Sequence, residues 1–334
     1  MLYCVVYYNL IRNIDAKGLR LSTGVMLFYN YFCSSIALFM NQPVNLSFPN
    51  NIKLTIKRED MLHPYISGNK LRKLKYNVLQ AKKEHRDTLL TFGGAYSNHI
   101  AATAAAGKEY GLKTIGIIRG EELQHKIKDN PTLLFAQNNG MEFKFISRDQ
   151  YREKDRRDFI QLLQDQFGDF YLMPEGGTNA LAVKGCEEIL TENDSVFTHV
   201  ACAVGTGGTI AGLINSALPH QKVLGFPALK ADLSDDIFKF ARPGNWELIN
   251  DYHFGGYAKV SSALIEFINN FKDTTGIPLD PVYTGKMIFG VIDLIDKGYF
   301  NADATILAIH TGGLQGIEGM NRELYRKKMP IIKT

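Results

Sequence analysis

A lysine attacks a carbonyl only as the neutral amine, and one stretch of this chain builds a setting for that. In Ser67-Gly68-Asn69-Lys70-Leu71-Arg72-Lys73-Leu74 a Gly-Asn turn opens directly into an amphipathic helix, placing Lys70 on its rim. Partial desolvation there lowers an ammonium pKa and favours the nucleophile. Taken alone, Lys70 reads as a surface lysine at a helix start. The rest of the chain decides between the two, because it supplies partners for a phosphate and a carboxylate.

Val204-Gly205-Thr206-Gly207-Gly208-Thr209 follows an apolar run and opens a helix. Gly205, Gly207 and Gly208 let the backbone approach an anion, the helix start adds partial positive charge, and Thr206 and Thr209 add hydroxyls. Neither a Lys-Ser/Thr pair nor G-x-G-x-x-G is present, so a single phosphate monoester suits it better than a nucleoside triphosphate. A merely tight turn is the alternative. Gly93-Gly94-Ala95-Tyr96-Ser97-Asn98-His99 is a second such turn, suited to a substrate carboxylate at Ser97 and Asn98, or to simple N-capping by either residue. Asp280-Pro281-Val282-Tyr283-Thr284-Gly285-Lys286 and Ile309-His310-Thr311-Gly312-Gly313 place further hydroxyls before a helix and after a strand. Ligands in open parallel sheets gather at the C-terminal ends of strands, where all these segments fall.

The intervening segments alternate in kind. Strands are expected at 54–58, 88–92, 114–118, 142–146, 198–204, 223–226 and 304–309. Helices are expected at about 70–83 (Leu71, Leu74, Val78 and Leu79 forming its apolar face), 100–110, 131–139, 155–167 and 209–217. This alternation implies an α/β protein with mostly parallel sheets and crossover helices. The expected division is a smaller domain over 74–175 and a larger one combining 41–73 with 176–334.

A chain of 334 residues has room for two packed lobes. A net charge of +4, with basic and acidic residues interspersed, does not point to nucleic acid. The cysteines Cys4, Cys33, Cys186 and Cys202 show no C-x-x-C spacing, which suggests neither zinc nor a disulfide framework and suits a reducing cytoplasm. Cys202, in an apolar strand, reads as core. His63, His85, His199 and His220 lack metal-ligand spacing and read as surface or strand-end residues. Trp246 takes no role. The apolar stretch 24–39 is short of the ~20 residues that cross a bilayer. Residues 1–39 read as an extension outside the catalytic core, with no membrane attachment expected.

Together these motifs resemble the fold-type-II, tryptophan-synthase-β-like pyridoxal-phosphate enzymes. The chain is most similar to the 1-aminocyclopropane-1-carboxylate deaminase/D-cysteine desulfhydrase family, from about Asn41 to Arg326. The resemblance rests on Lys57-Arg58-Glu59-Asp60, Gly68 to Lys73, Ser97-Asn98-His99, Gly205 to Thr209, Tyr283 to Lys286 and His310 to Gly313. It implies two open twisted sheets with flanking helices and pyridoxal 5'-phosphate in the cleft between lobes. It further implies that Lys70 binds the cofactor covalently and moves the substrate proton. Gly205, Thr206, Gly207, Gly208 and Thr209 would hold the phosphate. Ser97 would act at the substrate, with Asn98 and His99 beside it and Asn98 also near the cofactor. Tyr257 and Tyr283 would flank the substrate and assist proton movement, and the enzyme would be a homodimer.

Ring-opening members of that family look to carry a glutamate and a leucine where this chain has Thr284 and Thr311. Hydroxyl partners leave a pyridine nitrogen closer to neutral than a carboxylate does. The expectation is therefore β-elimination from a D-amino acid, D-cysteine first, yielding pyruvate, hydrogen sulfide and ammonia. The alternatives are a 1-aminocyclopropane-1-carboxylate deaminase, a lyase for another β-substituted amino acid, or a non-catalytic binding protein on the same fold.

Overall fold

A computed structural model describes residues 40–334, so the expected extension over 1–39 lies outside the described residues. Ten strands are present: β1 (Asn41–Pro43), β2 (Lys53–Lys57), β3 (Thr88–Gly93), β4 (Lys113–Arg119), β5 (Met141–Ile146), β6 (Tyr171–Met173), β7 (His199–Val204), β8 (Lys222–Pro227), β9 (Trp246–Leu248) and β10 (Thr305–Ile309). They form a six-stranded sheet, β1-β2-β10-β7-β8-β9, and a four-stranded sheet, β5-β4-β3-β6. All pairings are parallel except β1 with β2. The protein is thus α/β, with two mostly parallel sheets and flanking helices.

Parallel strands buried on both faces read as unbroken apolar runs, and the central strands do so. In β7, Val200, Cys202 and Val204 face a core with Ile210 and Leu213, whereas Ala201 and Ala203 face another with Leu264, Ile288 and Met287. In β10, Ile306 and Ala308 join the second core, while Leu307 and Ile309 join the first. Cys202 is fully buried, as its apolar strand implies, and burial pushes its thiol up to about 12.

The helix Asn69–Lys83 corrects the expected apolar face. Leu74 and Val78 are buried, but Leu79 is 56% exposed and the polar Lys73 and Asn77 are buried instead. Asn77 Oδ1 accepts from Tyr171 Oη at 3.0 Å and Asn179 Nδ2 at 2.7 Å, so partners distant in sequence offset its desolvation. Against this helix packs Ala180–Glu187, where a Cβ at Gly185 would lie 1.9 Å from the Arg72 carbonyl oxygen. No larger residue permits that approach. The boundary expected between 73 and 74 falls inside the first of these helices.

Three three-residue strands, β1, β6 and β9, carried no detectable period in the sequence. Trp246 lies in β9 with its ring edge-on to Phe238, 5.2 Å between centroids. His63 is a second correction: it is buried, and its Nδ1 accepts from Ile66 N at 2.8 Å. Among the described residues, no helix is long and apolar enough to cross a membrane, and no cluster of side chains has the make-up of a metal site.

Candidate active site

The C-terminal ends of β3, β7 and β10 open onto one cleft of about 1040 Å³, lined by Lys70, Lys73, Ser97, Asn98, His99, Gly205, Thr206, Gly207, Thr209, Tyr257, Asp280, Tyr283 and Thr311. Chain segments far apart in sequence therefore meet, as parallel-sheet geometry requires.

Gly68 has φ +62°, and a Cβ there would lie 2.0 Å from the Thr311 carbonyl oxygen. That oxygen accepts from Asn69 N at 3.3 Å, so the turn before Lys70 is seated on the end of β10. Asn69 Nδ2 donates to Thr209 Oγ1 at 2.8 Å, and Lys70 Nζ donates to Asn69 Oδ1 at 3.1 Å. Lys70 is thus tied to the glycine-rich loop through one asparagine. Burial, reinforced by the positive charge of Lys73, brings the Lys70 ammonium down from 10.5 to about 7. Near neutral pH a substantial fraction is then nucleophilic amine.

Lys73, one helical turn further on, was missed in the sequence reading as a site residue. Its side chain is 3% exposed, and its Nζ donates to Gly176 O at 3.0 Å, Thr178 Oγ1 at 2.9 Å and Thr206 Oγ1 at 3.4 Å. No carboxylate pairs with it among the described residues. Burial lowers its pKa, so the charged form calls for an anion. The helix Gly208–Ser216 begins beside it at Gly207, with no side-chain cap on its first amides. A Cβ at Gly208 would stand 3.3 Å from Lys73 Nζ and 2.8 Å from Thr178, so a side chain there would fill the cradle. Gly208 itself does not line the cleft. A phosphate monoester fits this donor set. Spacing was the available signal for Lys73, since i and i+3 share a helix face.

The other helix start differs. Ser97 caps Asn98–Tyr110, its Oγ accepting from Ile100 N at 3.3 Å, and Asn98 Oδ1 accepts from Gln315 Nε2 at 3.1 Å. Both side chains also line the cleft. His99 is 2% exposed, with Nε2 2.8 Å from Thr91 Oγ1. Thr91 Oγ1 also lies 3.1 Å from Met173 O. Burial, then the charges of Lys70 and Lys73, hold this imidazole well below its ordinary pKa and hence neutral.

Thr311 lines the cleft, but Thr284 does not. Thr284 is fully buried, and its Oγ1 donates to Asp280 Oδ1 at 2.7 Å. Asp280, also missed in the sequence reading, stands at the cleft in its place. Its carboxylate accepts further from Thr284 N at 2.7 Å, Val282 N at 2.9 Å and Tyr283 N at 3.0 Å, capping the helix Thr284–Asp296 from four residues upstream. Asp followed four residues later by Thr at a helix start was the sequence signal for it. Tyr283 lies against Gly205, its Cε1 3.2 Å from where a Cβ would be, and Tyr257 meets it edge-on at 6.2 Å between ring centroids. Burial raises the Tyr283 pKa well above 10, so that phenol stays protonated.

Comparison with known proteins agrees with this chemistry. The profile of the family described as pyridoxal-phosphate dependent enzyme matches residues 42–312. A bifunctional D-cysteine desulfhydrase/1-aminocyclopropane-1-carboxylate deaminase of Arabidopsis thaliana, described as mitochondrial, is 32% identical over 303 residues, covering 80% of this chain and 74% of that protein. A D-cysteine desulfhydrase of Salmonella paratyphi A is 30% identical over 292 residues, covering 78% and 87%. A crystal structure of an ACC deaminase homologue superposes with TM-score 0.70 at 27% identity, covering 86% of this chain and 92% of that one. The chain therefore belongs to the pyridoxal-phosphate-dependent enzymes, among relatives named 1-aminocyclopropane-1-carboxylate deaminases and D-cysteine desulfhydrases.

Proposed function

We propose that this enzyme carries out β-elimination on a D-amino acid, with D-cysteine as the foremost substrate and pyruvate, hydrogen sulfide and ammonia as products. The observation that carries the reading is the state of position 284. Its threonine hydroxyl is committed to Asp280, and four donors already occupy that carboxylate. This corner of the cleft thus offers no free carboxylate to keep a cofactor ring nitrogen protonated, as opening a strained ring without a Cα hydrogen would demand. The Salmonella relative is named for this reaction alone, and the Arabidopsis relative for both this reaction and ring opening.

Pyridoxal phosphate, when bound, supplies an aldehyde for the substrate amine and a conjugated ring that takes up the electron pair released at Cα. In our reading Lys70 would be the residue that holds the cofactor and, as the neutral amine, would take the substrate Cα proton. The uncapped amides from Gly205 to Thr209 and the Lys73 ammonium hold the phosphate. Ser97 and Asn98 orient the substrate carboxylate, and His99 supports that turn from beneath. Tyr283 or Tyr257 hands a proton to the departing thiolate as the Cβ–S bond breaks. The resulting aminoacrylate hydrolyses to pyruvate and ammonia.

The same reading takes the two sheets as the cores of two lobes, 41–73 with 176–334 and 74–175, and the enzyme as a cytoplasmic homodimer. Two buried free cysteines, Cys186 and Cys202, suit a reducing compartment. A substrate panel tests the reaction: D-cysteine should give equal amounts of pyruvate and sulfide. If 1-aminocyclopropane-1-carboxylate gave 2-oxobutanoate faster, elimination would be the wrong assignment. Absence of turnover on every amino acid, with cofactor bound, would favour a non-catalytic protein.

A further inference from the structure

A further buried lysine stands outside the phosphate and substrate contacts. Lys286, in the helix Thr284–Asp296, is 2% exposed and forms no ion pair among the described residues. Its ammonium donates to three backbone carbonyls, Gly256 O at 2.8 Å, His253 O at 2.9 Å and Ala228 O at 3.2 Å. Burying a cation without a counter-ion is costly unless every donor is used, and here three acceptors converge on it. Burial pulls this ammonium down to about 8, which leaves its three N–H donors in place at neutral pH.

Two of those carbonyls belong to a strained segment. Phe254, Gly255, Gly256 and Ala258 all have positive φ, at 53°, 90°, 119° and 55°. For Phe254 and Ala258 that conformation persists only where the surroundings impose it. The one residue between 254 and 258 outside this region is Tyr257, whose ring meets Tyr283 across the cleft. The third carbonyl, Ala228 O, follows β8, and Ala228 N is itself bonded to Val204 O at 2.9 Å, at the threshold of the glycine-rich loop. One helix thus has Tyr283 at its start and, three residues on, the lysine that grips the turn bearing Tyr257.

We propose that Lys286 is a positioning residue: by clamping the strained turn at 253–258 to the end of β8, it aims Tyr257 at Tyr283 and the substrate. This rests on the catalytic reading of Tyr257, and a double-mutant cycle separates the two. On the substrate giving most pyruvate, Tyr257→Phe is expected to lower kcat about a hundredfold, and Lys286→Met at least about tenfold. Cofactor absorbance and affinity should stay within about twofold of the parent for both. In the Tyr257→Phe background, Lys286→Met should change kcat by less than about twofold, because its effect passes through the missing hydroxyl. Full multiplicative loss in the double variant, or parental kcat in Lys286→Met, would overturn the proposal.

If Tyr257→Phe alone left kcat unchanged, the reading of Tyr257 would fail, and hydrogen exchange over 253–258 would then judge the clamp. Lost protection in Lys286→Met supports it, whereas parental protection refutes it. Should Lys286→Met not accumulate folded, Gly256→Ala takes its place, since a side chain at φ 119° disturbs the same turn without touching the lysine. The same kcat loss and the same non-additivity with Tyr257→Phe are expected.

Discussion

The cleft has two helix starts that look alike in sequence and differ in physics. At Asn98–Tyr110 the side chain of Ser97 satisfies one of the helix's own amides. At Gly208–Ser216 no side chain does so, and a buried lysine with no acidic partner stands alongside. The first is a self-contained turn that also presents polar groups to the cleft. The second leaves donors and charge in place for an anion from outside. Glycine content alone therefore does not distinguish the two starts; an uncapped start beside a buried cation is the one suited to an anion.

The severest break of this comparison is through Lys70, which lines the cleft that both starts share. Lys70→Ala should lower turnover by about a thousandfold or more and abolish the visible absorbance of bound cofactor. A variant that kept both would remove Lys70 from the chemistry. The direction of its pKa sharpens the point. With the ammonium lowered from 10.5 to about 7, the neutral form gains as pH rises through that value. Recombination of cofactor-free enzyme with pyridoxal phosphate should accelerate from pH 6 to 8 and then level off, and continued acceleration to pH 10 would contradict the assigned pKa.

Next in size is Lys73→Met, which should weaken pyridoxal phosphate binding by about thirtyfold, near 2 kcal/mol, as charge-assisted bonds are lost. Pyridoxal without its phosphate should bind the variant and the parent alike, and an equal loss for both would show that Lys73 does not act on the phosphate. Gly208→Ala crowds the same cradle, and a loss of about tenfold in cofactor affinity is expected by titration. Ser97→Ala tests the other start: about 1 kcal/mol of cap stability should go, with a raised KM and unchanged cofactor affinity. Lost cofactor affinity there would erase the distinction between the two turns.

The alternation of apolar runs and helical segments was legible, and the strands and helices expected from it lie within a few residues of where the sequence places them, whereas Ala180–Glu187, Ser262–Thr275 and Gly316–Arg326 were not expected. The short strands β1, β6 and β9 were not legible, because three residues cannot display a period. Lys70, Ser97 and the glycine-rich loop were recognisable because their chemistry sits in contiguous motifs. Lys73 and Asp280 were not, since each acquires its meaning from partners far away: Gly176 and Thr178 for the one, the folded turn before Thr284 for the other. Thr284 illustrates the converse. Its motif was visible, yet its hydroxyl is committed to the Asp280 carboxylate rather than presented to the cleft.

By itself, then, the sequence determined the α/β class and the contiguous motifs that meet at the cleft, because local pattern and motif chemistry are written in neighbours. Only the tertiary structure decided which buried charges go unpaired, which helix start remains uncapped and which loop is held under strain. Those properties belong to contacts between distant segments, and burial assigns their energy only once the chain has closed around them.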